Sequence, residues 1–448
     1  MLVATHRHIR GNLTIPSSST NLLSNISLIA GTTIGAGILA LPAATAPVGL
    51  WPSTFLMIAV WLYMAISGLL VAEANLYVRQ QQNSEAPGLL ATIAHLLGQG
   101  GAIAAGILYV FMHYALLVAY TARGGDILAM AARNLAWLPE QAIPLWWGHV
   151  LFAVLLASLL YLGTEAFVGH FNSVLLGGII AAFGGLVVLT GRQLDTGITT
   201  TNTTTTAITT TFSQAIPWQA IGTVIPVMLV AFVFHNIIPV ITRRLAADKP
   251  KIRQSILLGS FIPLVMFLVW NAVILLSVGN PSSGSSGDPL ELLRQGLNSP
   301  RIGLAISIFS ELAVATSFIG FVYGLLSFLE DALPANSVGK RKPAKFALVF
   351  LPPLVLSVLS PTIFFDAIEV AGAFGVSVLF GMLPAVMVWK MHYGSNQDAL
   401  TEAPVTKASV TEAPVTEALV PGRKGLLVAM AGGAIAIFSE QALQIFTH

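Results

Sequence analysis

Cysteine is absent from the 448 residues, so disulfides, cysteine-ligated zinc and thiol catalysis are all excluded. Charge is scarce too: Asp, Glu, Lys and Arg together make up 9% of the chain, against about a quarter in a soluble domain. The nine histidines are scattered singly, which leaves no metal-ligand cluster. HExxH, GxSxG and paired intramembrane aspartates are all missing. No enzyme, metal or cofactor is therefore expected, and nothing basic is concentrated enough to suggest a nucleic-acid partner. A channel would need polar groups repeated along a pore, whereas here they cluster at two places.

What fills the chain instead is hydrocarbon: 55% of residues are hydrophobic and the mean hydropathy is +0.81. Eleven apolar runs are long enough to cross a bilayer, at about 22–49, 52–78, 101–122, 146–163, 168–190, 219–242, 254–278, 302–329, 344–360, 363–389 and 425–446. Continuous runs of this length exclude a barrel and point to an all-α polytopic membrane protein. The first run carries Asn25, Ser27, Thr32 and Thr33 and no convincing cleavage site, so it reads as a retained helix.

If the N-terminus is cytoplasmic, sixteen of the 21 Lys and Arg residues fall on the cytoplasmic side. This bias predicts the N-terminus inside and the C-terminus outside. Three segments read as linkers: the threonine-rich "TGITTTNTTTTAITTTF" (196–212), the connector "NPSSGSSGD" (280–288), and "TEAPVTKASVTEAPVTEALVPG" (401–422), which repeats TEAPVT after ten residues.

The first run holds an anomaly. "GTTIGAGILALP" (31–42) crowds Gly31, Gly35, Gly37, Thr32 and Thr33 near mid-membrane. Such backbone survives in lipid only where protein or a water-filled cavity replaces the lost hydrogen bonds. A second half-helix starting near Gly37 would aim free N–H groups and a positive dipole end at an anion. Carbonyls ending the first half would suit an ammonium group, so a zwitterionic amino acid matches both ends. Close helix packing through Gly31 and Gly35 is the competing explanation. The sixth run tips the balance, because "VIPVMLVAFVFHNIIPVITRR" places Pro226, His235, Asn236 and Pro239 in one crossing. Transporters built from two inverted repeats of five helices break their first and sixth helices. Prolines 263, 352, 353 and 384 read as ordinary kinks.

"NISLIAGTTIGAGILALP", "AFVFHNIIP", "ELAVATSFIGFVYGL" and "FLPPLVLSVLSP" with "EVAGAFG" resemble the aromatic amino acid permeases, the tryptophan/tyrosine group of the amino acid/polyamine/organocation superfamily. The resemblance covers about residues 20 to 446. It implies an eleven-helix proton symporter for tryptophan or tyrosine in a bacterial inner membrane. The fold would be a five-plus-five inverted-repeat core of the LeuT type with helices 1 and 6 broken. Residues 1–21 would form a cytoplasmic tail and 22–190 the first repeat. An outer loop (191–218), the second repeat (219–389), a cytoplasmic linker (390–424) and a last helix (425–448) would follow. By the same resemblance Thr32, Thr33, Gly35, Ala36 and Gly37 cradle the substrate. Tyr120 reaches its carboxylate, and Phe232, Phe234 and His235 line the facing wall. The partners implied are the amino acid and the bilayer.

For coupling, Glu311, His235 and Glu73 are the intramembrane ionisable candidates to carry a proton. Sodium competes: Thr316 and Ser317 fall where sodium-coupled relatives of this fold place two hydroxyl ligands, and carbonyls of Gly31, Ile34 and Ala313 would complete five oxygens. A sodium-coupled transporter of neutral amino acids and a non-transporting amino-acid receptor are the alternatives.

Overall fold

The computed structural model describes residues 22–35, 37–82, 87–136, 144–195, 218–278, 300–332, 341–360, 362–394, 418–420 and 423–447. The N-terminal tail, Ala36, the threonine-rich segment, the connector at 280–288 and the TEAPVT repeats lie outside these residues. Every described element is helical. In chain order they are α1 (Leu22–Thr33), α2 (Gly37–Thr45), α3 (Leu50–Gln82), α4 (Leu89–Ala136), α5 (Leu145–Leu162), α6 (Glu165–Asp195) and α7 (Trp218–Ala231). A short turn of 3-10 helix (His235–Ile237) leads into α8 (Ile238–Arg244), α9 (Lys249–Val278), α10 (Pro300–Ala332) and α11 (Lys342–Leu359). The last parts are α12 (Phe364–Val370), a π-helical stretch (Ala371–Met382), α13 (Leu383–Tyr393) and α14 (Arg423–Thr447).

Among the described residues, ten helices are long and apolar enough to cross a membrane, or eleven if α1 and α2, bent by 54°, count as one broken span. Leu162 and Leu359 are 80% and 75% exposed, and Leu23 and Phe55 also face outward. Apolar side chains turned out on helices of this length make the chain a multi-pass integral membrane protein. Trp146 and Trp147 pack together at the start of α5, where an interfacial belt belongs. Alternating crossings gather Arg79, Arg243, Arg244, Lys342, Lys390 and Lys424 at one end of the bundle.

Glycine permits two sharp changes of direction. Gly49, at φ +82°, closes the turn from α2 to α3, with its N–H donating to Thr45 O at 3.0 Å. Gly98, at φ +80°, divides α4 into a short helix at 89–97 and the long third span. Between α8 and α9 the turn is closed by Asp248, whose carboxylate accepts from the Lys251 ammonium at 2.7 Å and the Lys251 N–H at 3.1 Å. Those bonds hold the Asp248 carboxyl below the usual carboxylate range.

The two broken spans sit inside the bundle. α1 packs on α9 and α2 on α7, while α10 packs against α6 and α4. The π-helical stretch brings its small residues in close, with Gly372 against the Pro226 backbone and Gly375 against Met112. Buried amides pin the flanking helices. Asn271 accepts from the Thr45 hydroxyl at 2.6 Å and donates to Ser53 at 3.0 Å, joining α2, α3 and α9. Asn75 accepts from the Thr242 hydroxyl at 2.7 Å and donates to Pro87 O and Thr92, joining α3, α8 and α4 at the basic end. These two buried amides are tolerated at this depth because each is paired.

Candidate functional site

The site begins where the α1 hydrogen-bond ladder fails. Ile34 N–H still reaches Ala30 O at 2.8 Å, but Ile38 N–H turns to Gly35 O at 3.1 Å, leaving the Ile34 carbonyl outside the ladder. Thr32 and Thr33 donate back to Leu28 O and Ile29 O, both at 2.8 Å, so their hydroxyl lone pairs stay available. The sixth span loosens at the same level. Phe232 N–H bonds Met228 O and Val233 N–H bonds Val230 O, and the chain then passes through Phe234, at φ −144°, into the turn at His235. The two breaks touch: a Cβ on Gly37 would stand 2.7 Å from Ala231 Cα and 3.1 Å from its Cβ.

A cavity of about 350 Å³ opens at this junction, inside the range of roughly 300–1,000 Å³ typical of small-molecule sites. Gly31, Thr32, Thr33, Ile34, Gly35 and Gly37 form one wall. Tyr120 from α4 and Thr316, Ser317 and Phe321 from α10 form another, and Val230, Ala231, Val233 and Asn236 face them from the sixth span. α6 supplies Asn172, Ser173 and Leu176. Ser24 and Ser27 from the start of α1 and Arg244 from the end of α8 carry the lining toward the basic end of the bundle. The Tyr120 and Phe321 rings lie 5.7 Å apart, an aromatic corner on the cavity.

Phe232, Phe234 and His235 do not line it. Val233 lines the cavity, while Phe232 and Phe234 turn into the bundle. Phe232 packs on Phe267 at 5.1 Å, and Phe234 lies over Gly68, where a Cβ would come within 2.7 Å of the ring. His235, 0% exposed, stacks between Phe234 and Phe380, both at 4.8 Å. Phe321 is one of the wall residues that the sequence does not single out. It lies four residues after Ser317, hence on the same helix face, and that spacing was the available signal.

The ionisable candidates separate. Glu311, on α10, sits off the cavity wall five residues before Thr316, and its buried Oε2 has no hydrogen-bond partner. Ala313 is fully buried and off the wall, its carbonyl accepting from the Thr316 hydroxyl at 3.0 Å. Glu73 is 3% exposed and engaged at both oxygens, with His392 Nε2 at 2.8 Å and Leu419 N–H at 3.0 Å. It clasps α3 to α13 and to the buried segment preceding α14. Glu73→Ala strands the Leu419 N–H, at a cost of about 2 kcal/mol. A lower melting temperature and faster proteolysis near 418–420 are the expected result. Glu73→Gln, which still accepts from Leu419, should lose much less; equal losses would contradict the clasp. Arg123 stands over the Phe364 ring at 5.5 Å, one turn beyond Tyr120.

Residues 18–408 match the sequence profile of the tryptophan/tyrosine permease family. The chain is 31% identical over 377 residues to the low affinity tryptophan permease of Escherichia coli K12, covering 82% of this chain and 86% of that one. It is 29% identical over 385 residues to the tryptophan-specific transport protein of Haemophilus influenzae (83% and 88% covered). To tyrosine-specific transport system 1 of the same organism it is 30% identical over 382 residues (81% and 86%). The crystal structure of MhsT in complex with L-phenylalanine superposes with a TM-score of 0.60 at 15% identity, covering 94% of this chain and 98% of that one.

Proposed function

The chain belongs to the tryptophan/tyrosine permease family, and from that premise we propose that it is a secondary active transporter importing tryptophan or tyrosine by proton symport. The observation that carries this reading is the cavity at the junction of the two breaks, walled by glycine backbone on one side and by Tyr120 and Phe321 on another. N–H groups opening α2 suit the substrate carboxylate, and carbonyls closing α1 suit its ammonium group. The aromatic corner gives the substrate ring a face to pack on. With the basic end of the bundle in the cytoplasm of a bacterial inner membrane, the lining that runs through Ser27 to Arg244 supports reading this conformation as an inward-facing state of an alternating-access cycle. The pairing of Glu73 turns the coupling role toward Glu311, the intramembrane carboxyl whose buried oxygen has no partner.

Sodium coupling is a second reading, favoured by one observation: Gly31, Ile34, Thr316 and Ser317 all line the same cavity. A receptor on this fold would bind substrate without flux, so uptake separates that case.

Phe321→Ala tests the site. Removing the ring should raise KM for tryptophan and tyrosine uptake about tenfold, the effect of roughly 1.4 kcal/mol of lost aromatic contact. An unchanged KM would remove Phe321 from the binding wall.

A further inference from the structure

The aromatic corner of the cavity continues behind its wall. On α4, Tyr109, His113 and Tyr120 follow one another at spacings of four and seven and share one helix face. On α10, Phe321, Gly324 and Phe328 follow at three and four and share another. The two helices pack together, and their rings meet in one row. Phe321 meets the His113 ring edge-on at 5.2 Å, His113 lies 3.9 Å from Tyr109, and Tyr109 stacks on Phe328 at 5.4 Å. Tyr120, two turns beyond His113, completes the row at 5.7 Å from Phe321. Only Tyr120 and Phe321 line the cavity; His113, Tyr109 and Phe328 stand off it.

His113 is 1% exposed, and its ring is fixed from its own helix. The Tyr109 carbonyl can only accept, so His113 Nδ1 carries a proton and donates to it at 2.7 Å. Nε2 is buried without a hydrogen-bond partner and faces Gly324, where a Cβ would stand 2.8 Å away. An unpaired buried nitrogen is a cost that phenylalanine would not carry. What histidine supplies in its place is a flat ring tied to the backbone, with a glycine opposite that leaves it room.

We infer that His113 is a positioning residue for substrate selection: it stands behind Phe321, holds that ring forward on the cavity wall, and so sets the size of aromatic side chain the site accepts. This rests on the aromatic amino acid transport proposed above. In that reading Phe321 touches the substrate, and His113 acts only through it. A wall ring with filled space behind it has one place to stand, because packed interiors leave few voids.

The test is uptake of labelled tryptophan and tyrosine, at limiting substrate, by the full chain in proteoliposomes. His113→Ala opens space into which Phe321 can swing back, so the wider indole should gain over the phenol. The tryptophan-to-tyrosine ratio should rise about tenfold over wild type, the low end of what a small size difference is worth in an apolar pocket. KM rather than Vmax should carry the shift. Gly324→Ala keeps the histidine but places a carbon 2.8 Å from Nε2, so the ring must turn, and the ratio should move the same way by less. Phe328→Leu loosens the far end of the row and should leave the ratio unchanged. Ratios unaltered in His113→Ala and Gly324→Ala, or altered equally by Phe328→Leu, would overturn the inference and leave the row as packing alone. Should His113→Ala fail to insert, an unaltered ratio in Gly324→Ala overturns it by itself. Wild type that accumulates neither amino acid would defeat the transport reading, a result distinct from an unaltered ratio.

Discussion

Gly37→Ala is expected to cut substrate uptake more than about tenfold while the chain still inserts and folds, and Gly37→Val to abolish uptake. The added Cβ would meet Ala231 Cα at 2.7 Å and Ala231 N at 3.3 Å. These are backbone atoms at the end of α7 and cannot rotate away, so the ends of two half-helices must separate. Overpacking of this kind costs on the order of 2 kcal/mol, and it falls on the junction that forms the cavity. Gly35 is the internal comparison. Its added Cβ would collide with the Ser317 hydroxyl, a side-chain atom that can turn aside. Gly35→Ala should therefore impair uptake less than Gly37→Ala. Uptake by each variant, normalised to surface-inserted protein, checks both expectations; normal uptake by Gly37→Val would contradict the junction.

Glu311→Gln is expected to separate exchange from accumulation. Glutamine keeps the size and an acceptor but carries no exchangeable charge, so the carrier can still alternate and swap labelled for unlabelled tryptophan. Its accumulation ratio under an imposed pH gradient should fall close to one. Counterflow and gradient-driven uptake on the same proteoliposomes check this. Full pH-driven accumulation by the variant would move the coupling role away from Glu311.

The first break was legible because three glycines within seven positions weaken a helix in lipid, and the polar and proline residues of the sixth run favoured a break over close packing. The sixth was legible as a crossing but less so in detail. Its two prolines suggested where the helix fails, yet Pro226 lies inside α7 and Pro239 opens α8, with the unwound stretch between them. That position decides which residues face the cavity: Val233 lines it, while Phe232 and Phe234 pack into the bundle. A helical wheel drawn through the segment has no means of anticipating this. Pairings between distant residues, such as Glu73 with His392 or Asn271 with Thr45, leave no local pattern in a sequence. The π-helical stretch at Ala371–Met382 was likewise hidden, since apolar residues continue through it.

The central claim is that the cavity between the two breaks carries an aromatic amino acid with a proton. Its most direct test is uptake of labelled tryptophan into proteoliposomes under an inside-alkaline pH gradient without sodium, and separately under a sodium gradient without a pH difference. The account predicts accumulation with the pH gradient alone and collapse of that accumulation by a protonophore. Accumulation that requires sodium and ignores the pH gradient would contradict it.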